Sequence, residues 1–160
     1  MTSRHTRAHV GRAGVSQGTS LLDVICAIAI VAVLVSLAVP SYRQYTLRTA
    51  RTEARAALLA LAAAQERFFI LCEHYATSMD TSGRGDCERR ALGTFTPAAL
   101  AGYAIGLVEA GSGWVATATA ERDGAQWDDE SCRVLELSIE GHRTAFTAAG
   151  LRNDLECWNR

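Results

Sequence analysis

The chain has 160 residues, 49% of them hydrophobic and 21% charged, with a formal net charge of −1. That length holds one small domain plus one membrane-length segment. The charge balance excludes a uniformly basic nucleic-acid surface: without Arg4, Arg7 and Arg12 near the start, the remaining thirteen arginines face 17 acids, a net of −4. All 16 basic residues are arginine. The sequence has no P-loop, G-x-S-x-G, H-E-x-x-H or dinucleotide fingerprint, so nothing in it points to an enzyme, a metal centre or a cofactor.

Met1–Gly18 is polar, arginine-containing and without helical or strand period, so it reads as a leader. From Leu21 to Val39 the only strongly polar side chains are Asp23 and Ser36. A helix of that length rises about 28 Å at about 1.5 Å per residue, close to the hydrocarbon thickness of a bilayer. Asp23 is anomalous there, because a carboxylate costs about 2.5–3.5 kcal/mol at the centre of a membrane helix and less near its end. No convincing Ala-x-Ala cleavage site follows the apolar run. The core therefore stays with the mature chain, and the alternative cut lies before it, between Gly18 and Thr19.

These residues resemble the class III leader of type IV pilins and pseudopilins. Gly18 matches the residue before the prepilin peptidase cut, and Asp23 matches the acidic fifth position of the mature chain. Pro40 matches the helix-kinking proline, and Ser41, Tyr42 and Tyr45 match the segment after it. Two departures stand out: Thr19 replaces the usual phenylalanine, and Asp23 replaces glutamate. The resemblance implies an inner-membrane precursor with a periplasmic C-terminal domain. It would be cut after Gly18, extracted from lipid by an inner-membrane assembly machine, and packed among other pilin subunits in an extracellular filament.

Cutting there frees an α-amine on Thr19, cationic at neutral pH. An amine and a carboxylate that meet in an apolar environment offset each other's desolvation. Asp23 can thus pair with the Thr19 amine of a neighbouring subunit and set the register of packed helices. It can equally close a local capping box, Ser20-Leu21-Leu22-Asp23.

Residues 41–70 continue the helix. Eight of the fifteen residues from Ala50 to Ala64 are alanine. Ala50, Ala54, Ala57, Leu61, Ala64 and Phe68 form one stripe that needs a sheet against it. Arg48, Arg51, Glu53, Arg55, Glu66 and Arg67 are assigned to the remaining, solvated surface. Pro40 removes one backbone hydrogen bond and is expected to bend or open the helix.

Residues 71–102 lose this period. Ser82-Gly83-Arg84-Gly85-Asp86 is a loop signal, and Thr96–Leu100 suits a short helical turn with Pro97 at its first position. Period two then predicts strands over Tyr103–Val108, Trp114–Ala120, Val134–Ile139 and Arg143–Thr147, three or four antiparallel strands in all. Asp123–Glu130 reads as a solvated acidic loop without EF-hand spacing. His74 and His142 read as surface residues.

Of five cysteines, Cys26 lies in the apolar run, where it is a small hydrophobe. The other four, Cys72, Cys87, Cys132 and Cys157, suggest two disulfides in an oxidising compartment. Cys72 and Cys87 bracket the loop signal, and Cys132 and Cys157 bracket the last strands and tail. The second arrangement resembles the disulfide-bounded C-terminal region of pilins. The Cys157-Trp158 ending resembles that of PilE-type minor pilins, with Trp158 expected to pack on the sheet.

The reading is therefore an α+β, pilin-like chain. It comprises a leader (1–18), a long helix with a membrane or filament-core half (19–40) and an amphipathic half (41–70), and an αβ-loop, sheet and C-terminal region (71–160). The expected function is structural, as a minor pilin of a type IV pilus. The alternatives are a type II secretion pseudopilin, a competence pilin that contacts DNA through an exposed patch such as Arg84, Arg89 and Arg90, and an unprocessed single-pass anchor.

Overall fold

The computed structural model describes residues 20–79, 83, 85–93, 95, 100, 102–111 and 113–159. The leader, Gly18, Thr19, Arg84 and Thr96–Ala99 lie outside the described residues. One helix, α1, runs Leu21–Cys72, and Pro40 lies inside it. By compactness the chain divides at residue 40 into two units.

The described part of the first unit, residues 20–40, is helix apart from Ser20, and every one of its side chains is exposed. By length and composition this helix can cross a membrane.

The second unit, residues 41–160, holds the rest of α1 and a four-stranded sheet. The strands are β1 (Tyr103–Ala110), β2 (Gly113–Ala120), β3 (Val134–Ser138) and β4 (Arg143–Phe146). They pair antiparallel in sequence order, with Tyr103 opposite Ala120, Ala118 opposite Leu135, and Leu135 opposite Ala145. The arrangement is α+β and pilin-like. A 3-10 turn, Ala125–Asp128, lies between β2 and β3, and a six-residue helix, α2 (Asp154–Asn159), follows β4.

The core explains the sequence pattern. Ala50, Ala54, Leu58 and Leu61 of α1 are buried against Tyr103, Trp114, Ala116, Ala118, Ala120, Leu135, Leu137 and Ala145. Alternation in β2 sends Trp114 and three alanines to one face. Small side chains on that face meet the alanine-rich stretch of α1 in one core. The buried stripe departs from the expected one at four positions. Leu58 and Gln65 belong to it, Ala64 lies at its margin, and Arg51, expected on the solvated surface, is 6% exposed. The physical reason is Asp129, which meets the guanidinium in the interior and offsets its desolvation.

Trp158 is buried, as expected. His142 is exposed and His74 half-buried. Cys72 is bonded to Cys87, and Cys132 to Cys157.

Candidate functional site

Three parts of the molecule carry chemistry: the start of α1, a buried polar network, and the arginines of the loops. At the start of α1 the Ser20 N–H donates to the Asp23 carboxylate at 3.3 Å, and the Leu22 N–H donates to the Ser20 hydroxyl at 3.4 Å. In the isolated chain Asp23 thus sits in the local capping arrangement. Around it, twelve large apolar side chains between Leu21 and Val39 are exposed.

The buried network grows from Arg51. Its Nε and Nη2 donate to the two oxygens of Asp129 at 2.6 and 2.7 Å, the forked geometry that guanidinium and carboxylate share. Burial alone would lower the Arg51 pKa, but the hydrogen bond and charge of Asp129 outweigh it and raise the value. Asp129 also accepts from Gln126 Nε2 at 2.6 Å and from the N–H groups of Ser131 and Cys132 at 3.2 Å. Gln126 donates to the Tyr103 hydroxyl as well, and that hydroxyl donates to the Cys132 carbonyl. Burial and the neighbouring Asp129 charge hold the Tyr103 phenol well above its ordinary pKa.

This corrects the reading of Asp123–Glu130 as a wholly solvated loop, because Asp129 at 2% exposure is interior. The network reaches α2 too. Arg51 Nη1 lies 3.8 Å from Glu156, and Arg55 donates to the Trp158 carbonyl.

Of the loop arginines, Arg89 pairs with Asp86 at 3.5 Å and Arg90 with Glu109 at 3.2 Å. Arg90 also donates to the Tyr75 carbonyl. The patch anticipated from Arg84, Arg89 and Arg90 is therefore partly neutralised by the chain's own acids.

A second arginine group was not legible in the sequence. The 3-10 turn places the Trp127 ring 3.6 Å from the Arg133 guanidinium carbon and 5.5 Å from that of Arg122. Arg133 donates through Nη2 to the Trp127 carbonyl at 2.6 Å. Among the described residues no carboxylate pairs with either arginine, and no cluster could hold a metal ion.

The family model described as "Type IV minor pilin ComP, DNA uptake sequence receptor" matches residues 40–136. Comparison with curated proteins gives no match. The matched span contains the second half of α1, β1, β2, the Trp127 turn and part of β3.

Proposed function

Because the chain belongs to the type IV minor pilin ComP family, we propose that it is made as an inner-membrane precursor with its C-terminal domain in the periplasm. A prepilin peptidase cuts it between Gly18 and Thr19. An inner-membrane assembly machine then moves the mature subunit from lipid into an extracellular pilus, where it packs against other pilins.

The observation that carries this reading is the exposure of residues 21–39. Twelve large apolar side chains there are 45–77% exposed in the isolated chain. At about 1.5–3 kcal/mol for each fully buried side chain, discounted for partial exposure, covering them is worth about 10–20 kcal/mol. That matches or exceeds the roughly 5–15 kcal/mol by which a domain is folded at all. The segment must therefore be covered by lipid or by neighbouring helices. Ala27, Ala29 and Ala32 allow close helix approach. Asp23 gives up its local capping bonds and meets the free Thr19 amine of a neighbour, which sets the register. Asp23→Ala should be inserted and cut normally but be missing from sheared filaments. Normal incorporation of that variant would remove the register role.

The family's description as a receptor for a DNA uptake sequence supports DNA as a further ligand of the pilus-borne subunit. Affinity that falls steeply with salt is the signature of phosphate contact. Absence of duplex binding by the mature chain at low salt would reject this reading.

A further inference from the structure

We infer that the turn between β2 and β3 is a phosphodiester clip, with Arg122 and Arg133 as its two arms and Trp127 as the plate that holds them. The inference rests on the DNA reading above and names where one contact is made.

Four observations carry it. First, both guanidiniums are held by the same indole, Arg133 at 3.6 Å and Arg122 at 5.5 Å. Stacking leaves the exposed Arg122 guanidinium edge free for forked contact with phosphate oxygens, whereas Arg133, with Nη2 given to the Trp127 carbonyl and Nε buried, has Nη1 left for a single contact. Ordering a long side chain on binding costs about 0.5–1.5 kcal/mol, and stacking meets part of that cost beforehand.

Second, neither cation is neutralised. Glu121, Asp123, Asp128 and Glu130 are all exposed in the same loop, yet none lies within ion-pair distance of either arginine among the described residues. Arg133 Nε is buried without a partner. Arg89 and Arg90, by contrast, are engaged by Asp86 and Glu109.

Third, the turn is tied down at several points. The buried Arg51–Asp129 pair fixes its end, and Gln126 ties its middle to Tyr103. Gly124 packs so closely that an added Cβ would meet Gly102 Cα at 3.1 Å. Fourth, all three residues of the clip fall inside the matched span 40–136.

The nearby acids make a second prediction. They repel a phosphate without pairing to the arginines, so neutralising Asp128 should strengthen binding.

The test measures binding of a fluorescent mixed-sequence duplex to the full mature chain in detergent, across a salt series. Wild type should bind with an affinity that falls linearly with salt on logarithmic axes. Arg122→Gln should reduce that slope by about one, the share of a single phosphate contact, and weaken binding severalfold at low salt. Arg122 is exposed and makes no hydrogen bond or ion pair among the described residues, so this variant should fold normally. Arg133→Lys keeps the charge but loses the stack, and should bind more weakly with the slope preserved. Asp128→Asn should bind more tightly.

If wild type binds while Arg122→Gln and Asp128→Asn match it in affinity and slope, the clip is wrong and the DNA reading survives. If wild type fails to bind at low salt, the DNA reading falls and takes the clip with it.

Discussion

Removing the Asp129 carboxylate should be among the most damaging single changes in the sheet domain. Five donors converge on it: two from Arg51, one from Gln126, and the N–H groups of Ser131 and Cys132. In Asp129→Ala the Arg51 guanidinium stays in place at 6% exposure, and among the described residues only Glu156 at 3.8 Å is left to answer it. Arg51 cannot escape by losing its proton, because its ordinary pKa is already far above physiological pH. Breaking one side of a buried pair costs about 3–5 kcal/mol. For a domain of this size that is roughly a 10–20 °C fall in Tm.

Replacing both partners by apolar residues, as in Arg51→Met with Asp129→Leu, should cost less than Asp129→Ala alone, because no charge is then stranded. Denaturant unfolding of the two single variants and the double variant, followed by far-ultraviolet circular dichroism, measures the coupling. A loss below about 1 kcal/mol for Asp129→Ala, with a double variant no better, would refute the claim that this pair organises the interior.

Other outcomes follow from the same geometry. The Asp154 carboxyl is held below its ordinary pKa, chiefly by the Ala145 N–H that donates to it and also by Arg152. A depressed carboxyl stabilises above its unfolded pKa and loses that contribution as pH falls through its folded pKa. Acid below about pH 4 should therefore loosen α2 from β4, and Asp154→Asn should remove that step from a pH titration followed by hydrogen exchange. Cys132 and Cys157 are both fully buried, whereas Cys87 is exposed. Graded dithiothreitol followed by alkylation and mass mapping should open Cys72–Cys87 first. Removing that bond should cost about 3 kcal/mol and removing Cys132–Cys157 about 3.5, on loop entropy alone. Gly102 has φ +85, and a Cβ there would sit 3.0 Å from Gln126 Cβ. Gly102→Ala should destabilise by about 1–2 kcal/mol from backbone conformation alone, with the crowding added, read as a shift in denaturation midpoint.

The long helix, the sheet and its approximate strands were legible because each rests on a repeating pattern of side chains along one segment. The alanine-based stripe leaves Arg51 on the solvated surface, although a signal for its burial exists. Positions 51, 54, 58, 61, 65 and 68 step by three and four, so Arg51 and Gln65 occupy polar places on a buried stripe. Gln65 answers the cost of burial by exchanging two hydrogen bonds with the Ala76 backbone. Asp129 could not be separated from Asp128 and Glu130 by type, since only the 3-10 turn decides which carboxylate faces inward. The arms of the Trp127 clip come from either side of one loop and meet only after β2 and β3 pair. Helix α2 is six residues long and held by side-chain contacts, including Trp158 Nε1 donating to the Thr144 carbonyl. Such a short element has too few turns to show a period.

The apolar helix with its single carboxylate makes sense in a filament once Thr19 bears a free amine. Amino-terminal sequencing of the protein recovered from sheared, purified pili tests this most directly. The account predicts a chain that starts at Thr19. A chain that keeps the residues before Thr19, found in the membrane and never in the pilus fraction, would contradict it.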